Sequence, residues 1–367
     1  MNEHLNEISL LVQSKDTPTF DNVIVAYDKA GSLMKKISGV YSNLCSSLLT
    51  PDLQEIQKKM SPILTNHYNK IYTYNGLFDK IEIIWNNRFT SNLDSVQIRF
   101  IEQLYDRFKK NGAKFSTEQQ QSYGKIKEEL SSLYTTFSQN VMKDESEVFI
   151  ELTENDLDGL PDFLIQAAKS AANERKKSGY VITISRSLVV PFLTFSNRKD
   201  LRKLAYYKWI SRGQLDAERD NVPVIKKILQ LRKKQASMHG YDNFSQYALN
   251  DTMAKTTENV SELLYKVWEK AKVSIERERQ ALEEFIIEES NDKITLSNIS
   301  IDNEDWRYYA EKVRCKKYEI EEVEVKKYFK LENIVDAIFD CAHKLFGLKF
   351  VPTNLKAYHD DAKVYEG

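Results

Sequence analysis

No stretch of the 367 residues approaches the roughly 18 consecutive apolar residues that a membrane-spanning helix needs, so no membrane partner is expected. Charge of one sign is missing too. With 53 basic side chains against 54 acidic ones, no broad field draws the chain to nucleic acid or to an anionic surface. Cysteine is scarce: Cys45, Cys315 and Cys341 are scattered and form no C-x-x-C pair, which argues against a disulfide framework and fits a reduced compartment. The first twenty residues include Glu3, Glu7, Lys15 and Asp16 without a continuous apolar core, so no secretory signal is expected and the location reads as cytoplasmic. Eleven glycines and seven prolines are few for this length, and the long intervals between them favour helix over a turn-rich β fold.

Catalytic signatures are also missing. The histidines are His4, His67, His239, His343 and His359, and no two lie four apart. An H-E-x-x-H helix, which sets two imidazoles on one face beside a glutamate able to activate water, is therefore absent from these residues. There is no G-x-S-x-G elbow, phosphate-cradling glycine loop or G-x-G-x-x-G turn. Cys341-Ala342-His343 sets a sulfur near a nitrogen, but one helical turn does not easily aim both at one ion; the expectation is a pair half packed in a core. His359 beside Asp360 and Asp361 reads first as polar residues at a strand end and only second as a partial ligand set. His239, ahead of Gly240, is expected to cap a helix C-terminus as an imidazolium favoured by the dipole. The basic clusters Arg232-Lys233-Lys234 and Lys326-Lys327 are expected on solvated helix faces. No catalytic and no metal-binding residue is assigned.

What is present is helical periodicity. Thr17-Pro18-Thr19-Phe20-Asp21-Asn22 is turn chemistry ahead of Val23 and Ile24 and marks a helix start. A block opening at Pro51-Asp52 carries Leu53, Ile56, Met60, Ile63, Leu64, Ile71, Leu77, Ile81, Ile84 and Trp85, with Gly76 as a break or kink within it. Ser116 and Gln119 have the spacing of a capping box. Behind them Tyr123, Ile126, Leu130, Leu133, Tyr134, Phe137 and Val141 form a narrow apolar seam. That helix is expected to run antiparallel to its predecessor across Asn111-Gly112. The runs 148–152 and 180–184 are short and β-branched or aromatic, which argues strand. Leu188 to Phe195, interrupted by Pro191, reads as a further edge of that sheet. After Asn197 the pattern is helical again: Gly240 suits a left-handed cap, Leu263 to Ile287 reads as a long solvated helix, and a loop is expected from Asn291 to Asn303. In the last quarter Trp306, Tyr308 and Tyr309 stand beside opposite charges on a helical period. With Tyr358 and His359 they are the candidates for packing or for lining a channel.

Several stretches together resemble the cytoplasmic zinc metallopeptidases that include thimet oligopeptidase, oligopeptidase A and bacterial peptidyl-dipeptidase. Thr17 to Asn22 looks like that family's helix entry. Leu231-Arg232, Ala236 and Gly240-Tyr241, then Tyr247-Ala248-Leu249 and Met253-Ala254-Lys255-Thr256, are similar to its central helical signature in order and spacing. Asp305-Trp306 with Tyr308-Tyr309, Tyr328-Phe329, Leu345-Phe346-Gly347 and Tyr358-His359-Asp360-Asp361 complete the likeness. The terminal run and Gly112-Ala113-Lys114 look most like peptidyl-dipeptidase, which removes dipeptides from peptide carboxyl ends. Asp360 departs from the proline usual after the histidine, and Gly367 from an apolar strand residue.

The resemblance implies a mainly α fold, a multi-helical shell with a small inserted β-sheet around a peptide channel with one zinc, of which this chain would be the non-catalytic part. In such enzymes the H-E-x-x-H helix gives two ligands and a general base, a later glutamate completes the site, and bound water attacks the scissile carbonyl. None of those residues falls on a position here. The expected division is an amino-terminal helical region (1–147), a small sheet with a helix insert (148–196), a helical region with the family signature (197–347), and a strand leading to a missing catalytic domain (348–367). The chain is expected to be an amino-terminal fragment, inactive alone and binding no zinc itself. Short peptides and a separate catalytic half would be its partners. The alternative is a non-enzymatic helical module that binds peptides or a partner. Either way the aromatics of the last quarter are expected to leave an apolar patch.

Overall fold

The structure is a computed structural model that describes residues 1–290, 299–318 and 322–367. In chain order its helices are α1 (Asn2–Gln13), a π-helical turn (Phe20–Val25) running into α2 (Ala26–Lys29), α3 (Ser32–Ser47), α4 (Pro51–Tyr72), α5 (Leu77–Asn86), α6 (Ser95–Lys110) and α7 (Thr117–Glu147). Strand β1 (Phe149–Leu152), α8 (Asp162–Glu174), β2 (Tyr180–Thr183), α9 (Arg186–Phe195), α10 (Lys199–Ile210), α11 (Asn221–Met238), α12 (Phe244–Leu249) and α13 (Thr257–Glu289) follow. The last elements are α14 (Trp306–Tyr318), α15 (Glu322–Lys326), α16 (Leu331–Phe346), β3 (Val351–Pro352) and β4 (Tyr365–Glu366). The protein is mainly α. The expected loop from Asn291 falls largely on residues outside those described. Two interleaved units emerge: 1–148 with 208–272, and 149–207 with 273–367.

In the first unit, local chemistry starts the helices where expected. Thr19 and Asn22 close a reciprocal capping box, as do Ser116 and Gln119. Ile8, Ile24, Ile71, Leu77, Ile81, Ile101 and Phe108 are buried together, and Trp85 stacks on Tyr105 at 4.3 Å. Each such side chain contributes about 1.5–3 kcal/mol by leaving water. The antiparallel pairing across Asn111-Gly112 needs correction: α7 packs chiefly on α4 and α11. Its seam joins Leu130 to Ile228 and Leu231. On the other side, small hydroxyls such as Ser131 and Ser61, 2.6 Å apart, let α4 come close.

Near its C-terminal end α7 carries Asp144, which is fully buried. Its carboxylate accepts from Gly213 N at 2.7 Å and from Arg219 Nε at 3.1 Å, so α7 is tied to the turn before α11. Gly213 has φ of 78°, and a Cβ there would lie 2.7 Å from Asn221 Nδ2.

His239 follows α11, and Gly240 has the left-handed φ of 79°. The imidazolium reading is overturned. The ring sits among Phe115, Tyr123 and Tyr247, with centroids 4.8–5.1 Å away, and burial lowers its pKa, so the side chain is a neutral packing group. Arg232 is half-buried, stacking over Phe244 at 4.8 Å and donating to Tyr134 Oη at 2.9 Å, while Lys233 and Lys234 are exposed as expected.

In the second unit β1 and β2 pair antiparallel, Phe149 opposite Thr183 and Leu152 opposite Tyr180. The buried Ala171 and Ala172 of α8 pack on Val181. The strand expected over Leu188 to Phe195 is instead the body of α9. The β-branched run and Pro191 suggested an edge, but Val189, Phe192 and Leu193 fall on one helical face and are all buried. Lys326 and Lys327 are exposed as expected, with Lys326 Nζ 3.7 Å from the Phe163 ring centroid. Cys341 and His343 are both exposed on α16, not half packed in a core. That helix buries no residue; its Phe339 stacks on Phe350 at 4.6 Å, beside the short β3–β4 pair.

Candidate functional site

The residues that anchor α14 precede it. Asp305 is 1% exposed; its Oδ1 accepts from Arg202 Nη2 at 2.6 Å and its Oδ2 lies 2.8 Å from Lys199 Nζ. Arg202, on α10, is 2% exposed and donates through Nη1 to the Ser196 carbonyl at 2.6 Å. Lys199 also reaches Asp302 at 3.2 Å, and the hydrogen bond to Asp305 is the first cause of its raised pKa. Two charges this deep attract strongly because little water screens them, and removing Asp305 leaves the Arg202 guanidinium without its carboxylate.

The candidate aromatics meet this network unequally. Tyr308 lays its ring 4.1 Å from the Arg202 guanidinium and donates its hydroxyl to Asn197 Oδ1 at 2.8 Å. Tyr309 is half buried, edge-on to Tyr308 at 5.1 Å, and burial raises its pKa. Trp306 opens α14 and lines a groove of about 450 Å³ with Ala310 and Val313 of α14 and Leu282 of α13; Arg277 and Lys317 stand at its rim. Tyr358 and His359 lie elsewhere, in an exposed turn where His359 Nδ1 accepts from Asp361 N at 3.2 Å. Among the described residues no hydrogen bond, ion pair or ring contact joins them to Trp306, Tyr308 or Tyr309. Sequence reasoning missed Arg202, Lys199 and Asn197. The available signal was Lys199 and Arg202 one helical turn apart, a cationic face in need of a carboxylate.

Residues 192–366, which include this network, match Peptidase family M3. Over those residues the chain is similar to that family. It is 26% identical to the dipeptidyl carboxypeptidase of Escherichia coli over 372 aligned residues, which cover all of this chain and 54% of that protein. It is 24% identical to oligopeptidase A of Salmonella typhimurium, across 95% of this chain and 51% of the relative, and 24% identical to an organellar oligopeptidase A of Arabidopsis thaliana, across 99% and 46%. The chain spans about half the length of the curated relatives it matches. M3 peptidases use zinc, yet among the described residues no group of three histidine, cysteine, aspartate or glutamate side chains is placed to hold an ion. No helix of the described residues is long and apolar enough to cross a membrane.

Proposed function

We propose that this chain forms the peptide-facing helical part of an M3 zinc peptidase of the peptidyl-dipeptidase kind, whose parent reaction releases dipeptides from the carboxyl ends of short peptides. The zinc helix would come from polypeptide outside these 367 residues, in the same chain or a second one. Trp306, Tyr308, Tyr309, Tyr358 and His359 would pack or line the channel wall, and the signature region 197–347 would carry most of that wall. The location would be cytoplasmic. The observation that carries this reading is an M3 match over 192–366 in a sequence without H-E-x-x-H.

In this reading the 367 residues bind a short peptide and do not cut it. With zinc and an amino-blocked peptide, chelator-sensitive release of a dipeptide by the purified chain would overturn the inactive assignment. Calorimetry with the same peptide tests the wall, and absence of any binding heat would count against it.

A further inference from the structure

His4 on α1 and His67 on α4 are 8% and 4% exposed, with His4 Nδ1 and His67 Nε2 3.1 Å apart. At that distance one nitrogen donates its proton and the other accepts, an arrangement two neutral rings satisfy. His4 is fixed from below by Gly31, whose φ is 72° and where a Cβ would fall 2.6 Å from the imidazole. The Gly31 N–H in turn donates to Glu7 Oε2 at 2.6 Å, one turn along α1 from His4. On one side His67 borders a groove of about 310 Å³ with Leu5 of α1 and Pro62 of α4. His4 borders a smaller cavity of about 50 Å³ with Met34.

We propose that the His4–His67 pair is an acid-sensitive latch that holds α1 on α4, closed while both rings are neutral and released as they take up protons. A first added proton goes to an outward nitrogen and leaves the N–H···N bond in place, but it sets a charge in a site with little water. A second puts two donors face to face. Glu7 on α1 favours a proton on His4, whereas the Met1 amino group and Lys35 of α3 oppose it. Lys70 of α4 and the Met1 amino group oppose one on His67. Glu128 of α7 borders the same groove, with its Oε1 held by Asn66. Burial, and then His4, take the His67 pKa down to about 4, and burial lowers that of His4. A folded-state pKa below the ordinary 6.5 means that the open state protonates first. The latch is therefore at full strength above about pH 6.5 and weakens as pH falls toward about 4.

Hydrogen exchange of the α1 amides, corrected for intrinsic rates, is the test. Between pH 7 and pH 5 the opening equilibrium of α1 rises at least about twentyfold in the parent protein, while amides of α8 change little. The double substitution His4→Asn with His67→Gln removes that response. An equal response in the double variant overturns the latch. Should that variant fail to fold, imidazole titration by NMR in the unmodified protein decides: both rings titrating near 6.5 overturns the proposal, and His67 titrating well below it supports it.

Discussion

Helices α5 and α16 carry the same kind of pattern and end in opposite surroundings. In α5, Leu77, Phe78, Ile81 and Ile84 fall on one face and all four are buried. In α16, Leu331, Ile338, Leu345 and Phe346 lie among ten apolar positions of a 16-residue helix, yet Leu331 is 73% exposed and Leu345 and Phe346 are each 74% exposed. An amphipathic period states that a helix has a face to cover; it does not state that the same 367 residues cover it. The two units differ accordingly. Both bury apolar side chains, and the second adds, at the start of α14, a buried ion pair with an aromatic lid.

That contrast can be broken by substitution. Phe108→Ala, in the core beside α5, is expected to cost about 3–5 kcal/mol, against no more than about 0.5 kcal/mol for Leu345→Ala. Urea midpoints at unchanged slope measure both, and similar costs would mean that α16 is covered in solution. Arg202→Ala should cost up to about 3–5 kcal/mol because it leaves the buried Asp305 carboxylate with Lys199 alone of its two cations, while Arg202→Met combined with Asp305→Leu should cost much less. If the double variant is as unstable as the single one, packing and not charge holds that region. Gly213→Ala tests the polar tie in the first unit: left-handed backbone and the clash with Asn221 predict a loss of about 1–3 kcal/mol, and a neutral result would show that the turn relaxes freely. The smallest effect on stability is expected from Leu345→Glu with Phe346→Glu. Its readout is light scattering, where the parent chain should self-associate at micromolar concentration and the variant should not; identical masses would remove the apolar face as a cause.

Local chemistry was legible in the sequence, and distant pairing was not. The boxes at Thr19 and Ser116 and the left-handed Gly240 need only a few neighbouring residues, so spacing alone was enough. Leu188 to Phe195 was misread because Val189 and Val190 suit a strand and Pro191 suits an edge, while the deciding fact is the buried face of Val189, Phe192 and Leu193. Arg202 and Asp305 are 103 positions apart, and nothing beside either one names the other. His239 was placed correctly at a helix end and assigned the wrong charge, since the rings around it come from Phe115, Tyr123 and Tyr247. The likeness to the family was legible because its signals are scattered short runs in order. The position of Tyr358 and His359 apart from the other aromatics required the fold.

The interleaving of the two units has a consequence for the order of synthesis. Helix α7 leaves the ribosome early, but Asp144 finds its donors only when Gly213 and Arg219 have been made, and the α7 seam waits for Ile228 and Leu231. At about 5–20 residues per second, several seconds separate the acid from its partners. During that interval the nascent chain holds a helix with an uncovered seam and an unneutralised carboxylate, and it is then that this protein is most exposed to chaperones and to its own neighbours.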